Sequence, residues 1–215
     1  LGSGVGLKRV DGDKRVDATS IKGIPFVDLD PAKKDLTKYH VRSETVWDED
    51  YVGNLPQKGV FRPPYALLKR GFKGSTFELV AAYSEQEYVF TDSITSIFGT
   101  NKVLLKSITA SFNSRLHSYF LLLQGSYAGV EREKALDGPE RFTFPIVVDG
   151  VISGKVDKIQ SVCDEKSKQD LYQYTFDENI EKLEQEINEL VLEGVKASQF
   201  ERRLIDYALN VSVPL

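Results

Sequence analysis

The chain has 215 residues, 41% of them apolar, with 28 Lys and Arg against 32 Asp and Glu and a formal net charge of −4. That is enough apolar content for one large domain with a proper core, and the overall charge excludes a molecule that attracts polyanions over its whole surface. A single cysteine, Cys163, excludes a disulfide framework and a cysteine-built zinc site, and no apolar run reaches the roughly 18 residues of a membrane span.

These features point to a reducing, cytoplasmic setting. Leu1-Gly2-Ser3-Gly4 is no signal peptide, and the complete absence of Met leads us to expect a piece of a longer protein. Gly2-Ser3-Gly4-Val5-Gly6 has the glycine content of a phosphate-cradling loop, but lacks the preceding strand and following helix that such a loop needs. A flexible end is expected instead. Asp11-Gly12-Asp13-Lys14 lacks the rest of a calcium loop and reads as a solvated turn. Residues 24–29 (IPFVDL) predict a short strand that packs onto a later sheet. His40 has no metal-spaced partner, and Trp47 sits among acids as the anchor of a solvated loop.

Residues 59–145 organise the chain. Residues 65–69 predict a strand, Gly71 to Ser75 supply a turn, and residues 77–83 and 88–97 predict two further strands split by the polar turn 84–87. The period then changes. Val103, Leu104, Ile108, Phe112, Leu116, Tyr119, Phe120 and Leu123 recur at three- and four-residue steps, predicting one long helix over 101–123 with Thr100 or Asn101 as its cap and Gly125 at its end. Within it, Asn113-Ser114 reads as a buried polar node locking helix to sheet, and His117 as a packed or surface imidazole without an acid–base partner.

Gly125 to Arg132 is small, polar and aromatic, and residues 142–146 (FTFPI) follow a charged stretch. Residues 147–158 predict a hairpin turning at Asp149-Gly150. Thr175 with Glu178, and Ser198 with Glu201, are capping boxes that open two C-terminal helices. The first carries the stripe Ile180, Leu183, Ile187, Leu190 and Val191 and is broken by Gly194; the second buries Phe200, Leu204, Ile205, Ala208 and Leu209.

Charge is divided between these parts. Over residues 59–120 Arg62, Lys69, Arg70, Lys73, Lys102, Lys106 and Arg115 outnumber Glu78, Glu85, Glu87 and Asp92, whereas the C-terminal helices are acidic. A phosphate backbone would approach the central segment and avoid the tail.

The segments RPPYALLKRGF, ELVAAYSEQEYVFTDSITSIFG, LLKSITASFNSRLHSYFLLLQGSYAGVERE and FTFPI resemble, in that order, the target-recognition region of bacterial N6-adenine DNA methyltransferases of the restriction-modification type. The closing INELVLEGVKASQFERRLIDYALNVSV is similar to that family's C-terminal helix, turn and acid-rich helix, and the resemblance covers roughly residue 53 to the end. It implies a domain that docks on double-stranded DNA and selects the sequence. Its partner would be a catalytic methyltransferase domain of the same parent chain, which would hold S-adenosylmethionine. Arg62-Pro63-Pro64-Tyr65 looks like the Asn-Pro-Pro-Tyr tetrad with which amino-methyltransferases grip a flipped adenine. Arg62 carries only donors and cannot accept from the adenine amine, so the tetrad is expected to stiffen the start of a strand. No catalytic residue, metal or cofactor is assigned to this chain.

The expected fold is α+β: a mostly antiparallel sheet packed on one long helix, with a C-terminal helical pair. The expected division is an extension at 1–52, a recognition core at 53–160 and a helical segment at 161–215. Arg62, Lys69, Arg70 and Lys73 are assigned to phosphates, and Ser126, Tyr127 and Arg132, in a loop after a helix, to positions nearer the bases. Two other readings were weighed. The stripe from Ile180 to Val191 could serve a partner subunit, and Glu131, Glu133 and Lys134 caricature a metal-dependent nuclease site without the strand it needs.

Overall fold

Tyr-Ala-Leu-Leu-Lys at 65–69 is a nearly continuous apolar run, which is stable as a strand only where both faces are covered. The computed structural model shows how that is achieved; it describes every residue except 11, 13, 31, 32, 34, 58, 72–78, 125–143, 169–177 and 212–215. In chain order the strands are β1 (Gly2–Val5), β2 (Val16–Asp17), β3 (Phe26–Val27), β4 (Leu36–Thr37), β5 (His40–Val41), β6 (Tyr51–Val52), β7 (Tyr65–Lys69), β8 (Ala81–Ser84), β9 (Val89–Phe90) and β10 (Ile94–Phe98). The helices are α1 (Lys102–Asn113), α2 (Arg115–Gln124), α3 (Gly150–Lys168), α4 (Glu178–Gly194) and α5 (Gln199–Val211). No helix among the described residues is long and apolar enough to cross a membrane.

The central sheet has four antiparallel strands in the order β1-β10-β7-β8. Alternation along β7 sends Tyr65 and Leu67 into one cluster with Leu7, Phe26, Trp47, Val60 and Phe90. Ala66 and Leu68 enter another with Leu105, Ile108 and Phe112 of α1. A third cluster joins Ile152, Val156 and Ile159 of α3 to Ile187 and Val191 of α4 and Ile205 of α5. The fold class is α+β, as the pattern predicts, with an N-terminal β layer on one face of the sheet and helices on the other.

Several elements differ from expectation, each for a local physical reason. Gly2 to Val5 is no loose end: it pairs with β10 from Gly2↔Phe98 to Val5↔Thr95. Gly6 is required next to it, because a Cβ there would lie 2.3 Å from the carbonyl oxygens of Phe90 and Thr91. The run 88–97 divides into β9 and β10, because Ile94 N–H donates to the Thr91 carbonyl at 3.0 Å and turns the chain. Residues 24–29 do supply a strand, β3, which pairs in parallel with β9. Trp47 is 2% exposed, stands edge-on to Phe26 at 5.1 Å, and donates from Nε1 to the Glu49 carbonyl at 3.0 Å.

The expected helix 101–123 is broken. Asn101 caps α1, its Oδ1 accepting from Leu104 N–H at 3.0 Å. Ser114 then adopts an extended backbone, its hydroxyl donating to Ser111 O at 2.6 Å and accepting from His117 N–H at 3.3 Å. Asn188 of α4 accepts from Arg115 N–H at 2.8 Å, so the break is held from outside as well. Nor does 147–158 form a hairpin. Asp149 caps α3 instead, its Oδ1 accepting from Val151 N–H at 2.5 Å and Ile152 N–H at 3.2 Å. Asp-Gly suits a hairpin turn and a helix start equally, and the stripe Ile152, Val156, Ile159, Cys163 decides for the helix.

The capping box of α5 is formed: Glu201 Oε2 accepts from Ser198 N–H at 2.7 Å, and Ser198 Oγ accepts from Glu201 N–H at 3.3 Å. Thr175, assigned to the other box, lies outside the described residues. α4 ends at Gly194, but the left-handed residue that closes it is Lys196, at φ 57°. Gly194 answers to packing, since a Cβ there would lie 2.4 Å from Val147 Cγ1.

Candidate nucleic-acid interface

A surface that holds phosphates needs cations that are not already neutralised. On the helical side of the sheet, three of the cations of residues 59–120 are already paired. Lys102 pairs with Glu85 at 2.5 Å, Arg115 with Asp206 at 3.1 Å, and Lys106 with Asp157 at 2.6 Å, with the Lys106 ammonium also 4.9 Å above the Tyr83 ring. Glu85 already stands in the count along residues 59–120, so two of the three excess positives there are cancelled by acids from outside the segment, Asp157 of α3 and Asp206 of α5.

The sheet-end residues behave differently. Lys69 closes β7 and shares the strand face of Tyr65 and Leu67. Among the described residues it has no acidic partner, and neither does the exposed Arg62. The two do not form one group. Arg62 precedes β7, and Lys69 ends it, which separates them by the whole strand, on the order of 13 Å before the two intervening prolines are added. Arg70 is half-buried and tied down: its N–H donates to Ser93 O at 2.9 Å and its Nη1 to Asp92 O at 2.9 Å. It holds the turn 91–93 as well as facing solvent. Lys73, Ser126, Tyr127 and Arg132 lie outside the described residues, as do Glu131, Glu133 and Lys134.

The structure adds two cations that motif reading passed over. Lys8 and Arg9 are exposed and follow buried Leu7, whose carbonyl accepts from Asp92 N–H at 2.7 Å. They therefore stand beside the same turn that Arg70 grips. The signal was present as adjacent basic residues after a buried leucine, but only the pairing of β1 with β10 places them.

Tyr65 of the proline tetrad is fully buried. Its hydroxyl donates to Gln86 O at 2.8 Å and accepts from Tyr88 N–H at 2.8 Å. A ring so placed cannot stack on an extruded base, so the tetrad residues do not fit an adenine grip and serve the strand start instead.

The opposite, β8 edge carries a cleft of about 190 Å³ lined by residues that include His40, Tyr83, Glu85, Tyr88, Asp157 and Asp164. His40 Nε2 lies 3.0 Å from Asp164 Oδ1; burial lowers the imidazole pKa, against the upward pull of that carboxylate. Lys102 and the Tyr83 hydroxyl hold the Glu85 carboxyl below the usual carboxylate range. Its acids make this edge unattractive to phosphate. Among the described residues no group of three His, Cys, Asp or Glu side chains could hold a metal ion. Of the α4 stripe that could serve a partner, Ile187 and Val191 are buried within the chain at 0% and 1% exposure, while Ile180, Leu183 and Leu190 pack against the same cluster and are half-buried.

No family model and no curated protein matches this chain. Among solved structures it is similar to the Type IIL restriction-modification enzyme MmeI in complex with DNA, with 12% identity and a TM-score of 0.45 over 68% of this chain and 21% of that one. The likeness is loose, and the chain spans about a fifth of the length of that enzyme's chain.

Proposed function

We propose that this chain is the duplex-DNA recognition domain of a DNA adenine-N6 methyltransferase of the restriction-modification type. The methyl transfer itself, with its S-adenosylmethionine, belongs to a catalytic domain of the parent chain. The observation that carries this reading is electrostatic: Lys102, Lys106 and Arg115 are paired with acids of the chain, while Lys69, which has no acidic partner among the described residues, stands at one end of the sheet with Lys8 and Arg9 across the turn 91–93. The ordered sequence segments supply the family, and Ser126, Tyr127 and Arg132 remain the residues assigned to base edges.

Titrating the chain with a 30-base-pair duplex at several salt concentrations tests it. Binding is expected to weaken steeply with salt. Lys69→Ala should weaken all sequences alike and make the log–log salt slope less steep by about 0.9. Absence of any duplex binding at low salt would sink the reading. In the intact enzyme, Arg132→Ala leaving the ratio of cognate to scrambled affinity unchanged would remove the base-reading role of Arg132.

A second reading, assembly with a partner through the C-terminal helices, keeps one supporting observation. Although α4 is covered, α5 exposes Phe200 (74%), Leu204 (39%) and Tyr207 (65%) on one face, correcting the expectation that Phe200 and Leu204 are buried. The two roles are compatible, because this stripe belongs to α5 and the cations belong to the sheet.

A further inference from the structure

The triplet Leu-Lys-Arg occurs twice, at residues 7–9 and 68–70, and the fold brings both copies to one turn. From the β1 side, Leu7 N–H donates to Phe90 O at 3.0 Å, and Leu7 O accepts from Asp92 N–H at 2.7 Å. From the β7 side, Arg70 N–H and Nη1 donate to Ser93 O and Asp92 O, both at 2.9 Å. Residues 91–93 are thus gripped from two directions. Each leucine is an anchor: Leu7 is 0% exposed in the cluster beneath the N-terminal layer, and Leu68 is 2% exposed in the cluster beneath α1.

The chain is shaped to allow this approach. A Cβ on Gly53 would lie 2.5 Å from the Arg9 carbonyl oxygen, and the Gly53 N–H donates to Lys8 O at 2.8 Å. Lys8 and Arg9 are exposed, with the Arg9 guanidinium 5.8 Å above the Phe26 ring and close enough to Asp28 to help lower that carboxyl's pKa, although Asp28 is itself held by Lys33 at 2.8 Å. Leu7 and Arg70 bond adjacent residues of the turn, Asp92 and Ser93, from opposite sides, and with about 4.8 Å between hydrogen-bonded chains the two triplets lie about 10 Å apart across it, a distance two long cationic side chains span onto successive phosphates. The acid among them, Asp92, is half-buried.

We infer that the two triplets form a two-sided clamp on the phosphate backbone of double-stranded DNA, Lys8 and Arg9 supplying one jaw and Lys69 the other, with Arg70 holding the turn between them. The inference rests on the duplex-binding reading above, but adds residues that reading did not contain. It also gives the N-terminal segment a direct part in binding.

The test is fluorescence anisotropy with the whole 215-residue chain and a 30-base-pair duplex across a salt series. The variants are Lys8→Ala with Arg9→Ala, Lys69→Ala, and Lys22→Ala as a control. The Lys8/Arg9 double variant should lose about tenfold in affinity at low salt, equally for every sequence, with a slope less steep by about 1.8 for two phosphates. Lys22, exposed and paired with Asp50, should change neither. A Lys8→Gln with Arg9→Gln version, which keeps a longer stem over Phe26, separates charge loss from packing loss and should behave like the alanine pair. If the double variants bind like the parent chain while Lys69→Ala does not, the N-terminal jaw is refuted and the DNA reading survives. If the unaltered chain binds no duplex, the function itself falls. Equal binding to vesicles rich in anionic lipid, with the same slope, would show a general polyanion surface and overturn the clamp as a device for DNA.

Discussion

Asn113→Ala is expected to lower the free energy of unfolding by about 3 kcal/mol, measured as a shift in the denaturant midpoint at unchanged slope. Asn113 ends α1 and faces Ala81 in the edge strand β8. Its Oδ1 accepts from Ala81 N–H at 2.8 Å and its Nδ2 donates to Ala81 O at 2.8 Å, all in the protein interior. The amide thus does for this edge what a fifth strand would do. Ala81 O keeps a second partner, Tyr39 N–H at 2.7 Å, but the Ala81 N–H has no alternative among the described residues. Truncation leaves that donor buried and unpaired, which sets the magnitude. Asn113→Asp retains an acceptor for the N–H while setting a carboxylate against the Ala81 carbonyl. It should be at least as damaging at neutral pH and partly recover in acid, where the protonated carboxyl can donate. A loss below about 1 kcal/mol for the alanine variant would show that the edge is satisfied in another way.

The second large effect concerns pH. His117 is 1% exposed, lies between Phe112 and Phe144 at ring-centroid distances of 4.5 and 3.6 Å, and has no hydrogen-bond partner for either ring nitrogen among the described residues. Burial pushes its pKa down to about 3 from an ordinary 6.5. The unfolded chain therefore binds a proton that the folded chain refuses. The stability this represents is complete above the unfolded value and drains away as pH falls from about 6.5 towards 3, about 3 kcal/mol of it by pH 4.5. His40, also lowered by burial, contributes in the same direction. His117→Leu removes the titrating ring and supplies apolar contact, so it should match or exceed the parent chain at pH 7 and lose much less on acidification. Denaturant titrations at pH 7.5 and 4.5 decide the matter; identical acid losses in the two proteins would place the sensitivity elsewhere.

Both effects come from residues whose roles were legible in the sequence. A polar pair within an apolar stripe marked Asn113 as a lock between helix and sheet, and a histidine without a spaced partner marked His117 as a packed or surface ring rather than a base, between which the fold chose burial. The interface was less legible. Counting charges along residues 59–120 gave Lys102, Lys106 and Arg115 the same weight as Lys69. Yet their acids, Glu85, Asp157 and Asp206, lie up to 91 residues away in the chain. Sequence spacing cannot register a neutralisation of that kind.

What the sequence by itself determined is whatever is settled within one turn of helix or one strand. Examples are the bounds of β7, a helix cap at Thr100 or Asn101, the Ser198–Glu201 box and the α+β class that follows from the change of period. Tertiary structure alone decided that a glycine-rich start becomes the edge strand β1, that Asp149-Gly150 opens a helix, and that Lys102, Lys106 and Arg115 find acidic partners. The physical reason is one of range. Caps and periodic stripes are satisfied by neighbours a few residues away, whereas sheet pairing, burial and ion pairing are satisfied by whatever the fold brings close.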